Sequence, residues 1–263
     1  MRWQPAELVA DRFENPSART LILRVPGWPG HRPGQHLDVR LTAPDGYHAE
    51  RSYSLAAPAD GDRVEITVQR VVDGEVSGYL VDGLPVGASI EVRGPVGGWF
   101  VWTPETGGAA VLIGGGSGIV PLMAMLRARR KTAAASPFRI LYSLRDPADL
   151  YYRDELTELG TDLETASAST GPGGSPLRGV DPADGIEIFV AYTRDAPAGS
   201  PRPPARLTRE EISRYMLPPA PDVTCYVCGP TAFVEFVADA LVFAGHDPAM
   251  IRTERFGPTG GRS

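Results

Sequence analysis

The most constraining feature of this 263-residue chain is an uncharged stretch, AAVLIGGGSGIVPLMAML, which covers residues 109–126. Its length is close to the roughly 18 residues that a membrane-spanning helix needs. Glycines at 114–116 and 118 and a proline at 121 interrupt the stretch. Such breakers favour a buried strand, a glycine turn and a buried helix, so we predict no membrane span.

The glycine turn in this stretch has the spacing of a phosphate-binding loop. Gly116, Gly118 and Pro121 form a G-x-G-x-x-P pattern that includes Ser117. Glycines allow close approach of the backbone to a phosphate, and the following helix offers free N–H groups and its positive dipole end. A proline is tolerated in the first helical turn. The pattern predicts a nucleotide loop, with a plain tight turn as the alternative. A serine-nucleophile elbow, G-x-S-x-G, does not fit because Ile119 takes its last position.

The second half of the chain alternates strands with helices, which predicts a doubly wound parallel sheet. The predicted strands are 109–115, 138–144, 186–193 and 223–229, and the predicted helices are 119–131, 149–159, 207–216 and 231–245. A glycine-rich segment and a proline-rich segment are predicted to be loops within this half, at 169–179 and 196–206.

The first half of the chain has the period-two alternation of β-strands. Apolar and polar residues alternate over 36–43, 64–71 and 89–94, with Gly, Pro and Asp turn signals between them. Short strands at this spacing predict an antiparallel barrel or sandwich. We place the domain boundary in TPETGG, which gives a first domain of residues 1–104 and a second of 105–263.

Composition excludes several classes of protein. The formal net charge of −6 argues against a nucleic-acid-binding protein. Two cysteines in 263 residues do not make a disulfide scaffold, which favours a reducing compartment. The N-terminal residues lack the apolar core of a signal peptide. We therefore expect a cytoplasmic protein.

Five motifs, in this order, resemble those of the ferredoxin–NADP reductase superfamily, which includes the reductase modules of multicomponent oxygenases. They are RSYS at 51–54, GEVSGYL at 74–80, GPVGGWF at 94–100, the glycine loop at 116–121 and CGP at 228–230. The resemblance covers residues 8–257. It implies a six-stranded antiparallel flavin-binding barrel followed by a doubly wound nucleotide-binding domain.

The resemblance also implies the flavin-site residues. Arg51 would bind the flavin phosphate, Tyr53 would stack on the isoalloxazine, and Ser54 would hydrogen-bond near the flavin N5. Ser52 belongs to the same motif, and read locally the strand turns Arg51 and Tyr53 to one side and Ser52 and Ser54 to the other. The pyrophosphate would be cradled by Gly74, Val76 and Ser77. The implied cofactor is FAD, with FMN as the alternative.

A second group of residues is implied for the pyridine nucleotide. Thr193, Arg194 and Arg206 resemble the 2′-phosphate site of NADPH-using members, since guanidinium groups bind phosphate bidentately. NADPH is therefore expected, with NADH as the alternative. Arg145 is a further candidate, and a solvated loop arginine is the equal alternative. The nicotinamide end would meet Cys228, Gly229 and Pro230 of the CGP motif.

The two cysteines share a C-x-x-C spacing, CYVC at 225–228, that could mark a redox dithiol or half of a zinc site. Zinc needs four ligands, and the four histidines lack ligand spacing. A redox dithiol belongs at a helix N-terminus, whereas in a strand residues three apart point to opposite faces. We predict no metal and a coincidental spacing, with Cys225 as a buried apolar residue.

The chain end adds two candidates by the same resemblance. Glu254 and Phe256 would lie beside the flavin, although packing is the alternative for Phe256. The implied catalytic residues are Ser54, Cys228 and Glu254.

The implied activity is that of an FAD-dependent reductase that takes hydride from NADPH and passes single electrons onward. A two-iron cluster needs four thiolates, so a separate acceptor is expected, either a ferredoxin or an oxygenase component. Three alternatives remain: a reductase of free flavin, ferric chelate or quinone, a weakly active electron-transfer subunit, and a nucleotide-sensing module. The basic run RARRK at 127–131 could dock an acidic ferredoxin or be a solvated helix end.

Overall fold

A computed structural model describes residues 1–132, 136–159, 177–181 and 185–257 of the chain. The residues fall into two units. The first unit comprises Met1–Pro104 with Met123–Thr132, and the second comprises Glu105–Leu122 with Ala133–Ser263.

Six antiparallel strands build the first unit. They are β1 Gln4–Asn15, β2 Ala18–Arg24, β3 His36–Thr42, β4 His48–Ser54, β5 Arg63–Gln69 and β6 Ser89–Val96. Their order in the sheet is β4-β3-β6-β1-β2-β5. An antiparallel bridge from Leu55 to Ile66 joins the two ends of this order and closes the sheet into the expected barrel.

Alternation along the strands fills the barrel interior. In β5, Val64, Ile66 and Val68 are at most 1% exposed and belong to the barrel core, whereas Arg63 and Gln69 at the strand ends face solvent. Each such side chain contributes about 1.5–3 kcal/mol when it leaves water. The period-two pattern in the sequence is therefore the direct cause of the barrel core.

A helical segment packs against the barrel core. Helix α1, Glu75–Gly78, continues into a π-helical turn, Tyr79–Gly83. Val76 and Leu80 are buried in the barrel core, and α1 lies against β4. The buried guanidinium of Arg19 donates from Nη1 to the carbonyl groups of Leu80, Val81 and Leu84 and so fastens the end of this segment.

The second unit holds one six-stranded sheet of order β12-β11-β7-β8-β10-β9, in which β9 runs antiparallel to β10 and the other neighbours are parallel. The strands are β7 Ala109–Gly115, β8 Phe138–Leu144, β9 Leu177–Asp181, β10 Ile186–Tyr192, β11 Val223–Pro230 and β12 Ile251–Phe256. The other α-helices among the described residues are α2 Ile119–Arg130, α3 Arg153–Glu158, α4 Arg209–Tyr215 and α5 Thr231–Phe243. The predicted fold class is confirmed.

Two local predictions needed correction. The helix predicted over 149–159 is a 3₁₀ turn at Pro147–Asp149 followed by α3, and Tyr152 between them has a left-handed φ of 57°. Burial of both Tyr151 and Tyr152 accompanies that break. The loop predicted over 169–179 lies outside the described residues except for its end, where β9 begins at Leu177.

The strand order sets the position of a ligand edge. From β7 the chain builds outward through β8 and β10, and then returns to the other side of β7 to form β11 and β12. Open α/β sheets bind ligands at the carboxyl ends of the two strands where the order reverses. In this sheet those strands are β7 and β11. No helix among the described residues is both long enough and apolar enough to cross a membrane.

Candidate functional site

The glycine loop joins β7 to α2 at the carboxyl edge of the parallel sheet. Gly116–Gly118 forms a 3₁₀ turn, and Gly116 has a left-handed φ of 55° with open space where a Cβ would lie. A Cβ on Gly118 would lie 2.1 Å from the carbonyl oxygen of Cys228. Glycine is therefore required at Gly118 by close packing and is favoured at Gly116 by backbone conformation. Pro121 is buried in the first turn of α2, where its missing N–H costs nothing.

Cys228 and Glu254 lie side by side at the same edge. In the parallel register Cys228 pairs with Gly114 of β7 and with Glu254 of β12. Cys228 is 1% exposed, and burial, followed by the nearby charge of Glu254, raises the pKa of its thiol well above the ordinary value. The thiol is therefore a neutral group at physiological pH.

The two residues after Cys228 complete this edge. Gly229 has a φ of 159°, which is close to extended backbone, and a Cβ there would lie 2.8 Å from the ring of Phe233. Pro230 ends β11 beside Phe256, the last residue of β12. The sheet thus brings the predicted CGP motif, Glu254 and Phe256 together.

The C-x-x-C spacing has no shared role in the structure. Cys225 and Cys228 are both free and buried. Cys225 lies in the hydrophobic core, as predicted, with its Sγ 3.4 Å from Nδ1 of His246. Burial raises the pKa of Cys225 to about 12. Among the described residues, no cluster of three or more His, Cys, Asp and Glu side chains could hold a metal ion.

The candidate 2′-phosphate residues follow β10, at the same carboxyl edge of the sheet. Thr193 is partly buried, whereas Arg194, Arg206 and Arg145 are exposed. The carbonyl of Arg145 accepts hydrogen bonds from the amides of Thr193 at 3.3 Å and Arg194 at 3.0 Å. The backbone of Arg145 therefore fixes the turn, and its side chain is exposed, as are those of Arg194 and Arg206.

Arg202 was missed by the sequence analysis. It sits in the proline-rich segment predicted as a loop, yet it is 5% exposed and pairs with Glu211 at 2.5 Å. A buried arginine inside a solvent-facing loop is unusual, because a buried cation requires a partner. The sequence shows its partner Glu211 only as the fourth residue of a T-x-x-E capping box, with Thr208 as the N-cap of α4. That motif predicts a helix start and gives no sign of a buried arginine.

The RSYS motif lies on β4 of the barrel. Arg51 is exposed, and its Nη1 donates to the carbonyl of Glu50 at 2.6 Å, which leaves further N–H groups of the guanidinium for a ligand. Ser52 Oγ donates to Asp38 at 2.6 Å. Tyr53 and Ser54 are partly buried; the Tyr53 ring packs on the barrel core, and burial raises the pKa of its phenol.

The GEVS motif forms the start of α1, against β4. Gly74 caps the helix, and the Ser77 hydroxyl accepts from the amide of Val71 at 3.1 Å and donates to the carbonyl of Gly74 at 3.3 Å. The hydroxyl predicted to bind pyrophosphate therefore closes its own turn. The first-turn amides of the helix, including that of Val76, have no partner within the helix. They stand beside the strand that carries Arg51.

A cavity of about 660 Å³ opens next to this turn. Tyr47, Ala49, Glu75, Val76 and Tyr79 are among the residues that line it. The Tyr47 hydroxyl donates to a Glu75 carboxylate oxygen at 3.1 Å. The turn and the cavity thus adjoin β4, the strand that carries Arg51. Together they combine N–H donors suited to a phosphate with an aromatic-lined cavity suited to a ring.

The first three residues of the basic run RARRK, residues 127–129, form neither a docking patch nor a solvated helix end. Arg127 donates from Nη1 to the carbonyl of Ala56 at 2.7 Å and pairs with Glu65 at 3.1 Å. Arg129 is 2% exposed. Only the last two residues of the run, Arg130 and Lys131, face solvent.

Comparison with protein families gives one match in each half of the chain. Residues 6–101 match the model of the oxidoreductase FAD-binding domain, and residues 112–170 match that of the oxidoreductase NAD-binding domain. Both matches agree with the implied order of a flavin domain before a nucleotide domain.

Individual relatives point in the same direction. The chain is 32% identical over 133 residues to methane monooxygenase component C of Methylosinus trichosporium, covering 51% of this chain and 38% of that protein. It is 28% identical over 230 residues to the reductase component of propane 2-monooxygenase of Rhodococcus jostii, covering 86% and 55%. The chain thus spans about half the length, or less, of these relatives.

A solved structure shares the whole fold. The FAD/NAD-binding domain of nitric oxide dioxygenase from Vibrio cholerae superposes with a TM-score of 0.76 at 23% identity, over 97% of this chain and 99% of that one. At that identity the likeness concerns the fold alone.

Proposed function

This chain belongs to the ferredoxin–NADP reductase superfamily, whose members are FAD-dependent NAD(P)H oxidoreductases, and from that premise we propose its function. The proposed function is that of an FAD-dependent NADPH reductase module that delivers electrons to a separate protein. The chemistry that bound FAD supplies is acceptance of a hydride and release of electrons one at a time. The residues of the chain would bind the FAD and the pyridine nucleotide, orient their reacting rings and shield them from water.

The observation that carries the proposal is the carboxyl edge of the parallel sheet, where the glycine loop, Cys228 and Glu254 meet. The amides of the loop and the start of α2 would bind the pyrophosphate of the pyridine nucleotide. The neutral thiol of Cys228 and the carboxylate of Glu254 would hold the nicotinamide ring in place. Phe256 would shield that position from water.

For the flavin, the exposed Arg51 and the amides of the Gly74–Ser77 turn would bind the pyrophosphate. Tyr53 would support the isoalloxazine and Ser54 would hydrogen-bond near N5. The cavity beside Tyr47 is large enough for an adenosine group, which favours FAD over FMN.

The proposed preference for NADPH over NADH rests on the residues of the loop after β10. Two exposed guanidinium groups, those of Arg194 and Arg206, together with the Thr193 hydroxyl suit a dianionic phosphate.

The acceptor follows from cysteine content and kinship. The two buried free cysteines cannot supply the four thiolates of a two-iron cluster, so the acceptor lies outside these 263 residues. The relatives named above are components of oxygenase systems, so we propose a ferredoxin or an oxygenase component as the partner. A reducing, cytoplasmic location is proposed because both cysteines are free.

An acceptor assay tests this proposal. Purified protein loaded with FAD is supplied with NADPH and given, separately, a two-iron ferredoxin, free flavin and ferric citrate. The proposal expects a higher kcat/KM with the ferredoxin than with either small acceptor. Preference for a small acceptor would transfer the chain to the small-acceptor reductases. A colourless protein that cannot be loaded with any flavin would overturn the proposal.

A further inference from the structure

The guanidinium of Arg202 joins the two ends of the loop that carries the candidate phosphate residues. Its Nη1 donates to the carbonyl of Tyr192 at 2.9 Å, directly before Thr193. Its Nη2 donates to the carbonyl of Ala205 at 3.0 Å and to that of Arg206 at 3.2 Å. The amide of Ala205 also donates to the carbonyl of Tyr192 at 3.2 Å. The loop is thus closed at its base around one buried cation.

Glu211 neutralises this cation and ties it to α4. Nε and Nη2 of Arg202 donate to the two carboxylate oxygens at 2.5 and 3.1 Å, a side-on bidentate pair. The same carboxylate accepts from the amide of Thr208 at 2.9 Å. Burial alone would raise the pKa of Glu211, but these hydrogen bonds and the charge of Arg202 outweigh burial and lower it. The pair therefore stays ionised at neutral pH.

This arrangement needs an arginine. The planar guanidinium presents five N–H donors in a fixed fork, and here they reach acceptors on two sides at once. A lysine ammonium carries the same charge as a point and has three donors. Burial of a cation is unfavourable unless it is fully paired, so the position is expensive to maintain for packing alone.

We propose that Arg202 is a positioning residue that holds Arg194 and Arg206 in a preformed clamp for the 2′-phosphate, and so sets the preference for NADPH. The inference rests on the proposed function, because it assigns the clamp to that nucleotide. The second anchor is the carbonyl of Arg145, which holds the amides of Thr193 and Arg194. A loop fixed at both places binds a phosphate without first being ordered, which strengthens binding.

The test measures dissociation constants of NADP⁺ and NAD⁺ for the FAD-loaded wild type, Arg202→Met and Arg202→Lys. The control is Arg139→Met, since Arg139 also forms an ion pair within the second unit, with Glu187 at 2.7 Å, away from the loop. We expect Arg202→Met to raise the dissociation constant of NADP⁺ about tenfold or more, while that of NAD⁺ changes less than about twofold. The dissociation constant of NADP⁺ for Arg202→Lys should lie between those for wild type and Arg202→Met. The control Arg139→Met should keep the wild-type ratio of the NADP⁺ and NAD⁺ dissociation constants.

Steady-state kinetics separates positioning from folding. Arg202→Met should raise the KM for NADPH while kcat at saturating NADPH stays near wild type. If Arg202→Met weakened the binding of NADP⁺ and NAD⁺ equally, or left the ratio of their dissociation constants unchanged, the inference would be overturned. A wild type that binds NADP⁺ no better than NAD⁺ would instead overturn the NADPH assignment of the proposed function, on which the inference rests.

Amide exchange in the wild type covers the case of a variant that does not fold. The Ala205 amide should exchange slowly without nucleotide, because the loop is already closed. Fast exchange that slows only when NADP⁺ is added would contradict a preformed clamp.

Discussion

Cys228 and Glu254 are register partners on neighbouring parallel strands, at the edge where the glycine loop also lies. The thiol is buried and the carboxylate is partly buried. Burial first, and then the charge of Glu254, raises the pKa of Cys228, so the thiol is neutral at physiological pH. We propose that this pair orients the nicotinamide without itself reacting.

The first prediction concerns the reactivity of the thiols. At pH 8, a thiol-exchange reagent should label neither cysteine rapidly in the native protein and both in denaturant. The reason is that both thiols are buried and have raised pKa values, and only the thiolate attacks. Rapid native labelling of Cys228, identified by peptide mapping against Cys228→Ser, would contradict the buried neutral thiol.

The second prediction is a loss of stability at alkaline pH. The folded pKa of Cys225 is raised from 9.0 to about 12, so its contribution is complete below pH 9 and is lost as pH rises toward 12. The free energy of unfolding should fall by up to about 1.4 kcal/mol for each pH unit in that window. Denaturant unfolding at several pH values measures it. Cys225→Ala should show a shallower decline than wild type, and identical slopes would count against the assignment.

The third prediction concerns Gly118. In Gly118→Ala the new Cβ would meet the Cys228 carbonyl oxygen at 2.1 Å, so the loop must move. The dissociation constant of the pyridine nucleotide should rise at least about tenfold, since misplacement of a binding loop is costly. Flavin content should be unchanged, because the barrel is a separate unit. The control is Gly61→Ala, where the φ of 58° strains the backbone but no atom lies within 4 Å. Retained nucleotide binding in Gly118→Ala would contradict this account of the loop.

The fourth prediction concerns Tyr47 and the choice between flavins. Removing the ring in Tyr47→Ala should weaken FAD binding and leave FMN binding unchanged, because FMN lacks the adenosine group that the adjoining cavity would hold. Loss of a stacking partner is worth about 1–3 kcal/mol per base. Tyr47→Phe keeps the ring and should bind FAD nearly as wild type does. Equal weakening of FAD binding and FMN binding would mean that Tyr47 only supports the turn at Glu75.

The fifth prediction concerns Ser77. In Ser77→Ala the Val71 amide loses its acceptor, which should cost about 1–3 kcal/mol in the free energy of unfolding and weaken flavin binding. Chemical denaturation and flavin titration measure the two effects. Ser17→Ala removes another turn hydroxyl of the same unit, one that bonds Asn15, and should leave flavin affinity unchanged. Wild-type flavin affinity in Ser77→Ala would show that the turn does not shape the site.

Local pattern predicted much of this structure. Strand β7, the glycine turn and α2 follow from one uncharged stretch, because glycine conformation and strand burial are properties of near neighbours. The residues that pattern missed depend on distant partners. Arg202 pairs across nine positions with Glu211, and Arg127 across 62 positions with Glu65. An arginine in a polar segment gives no local sign of burial. Arg127 was therefore interpreted as part of a docking patch or a solvated helix end, and Arg202 was overlooked.

The most direct measurement mixes the FAD-loaded protein anaerobically with NADPH or with NADH and follows the visible absorbance of oxidised flavin. We expect rapid bleaching with NADPH and much slower bleaching with NADH at equal concentration. Bound flavin that neither nucleotide bleaches would contradict the central claim that this chain is an FAD-dependent NAD(P)H oxidoreductase.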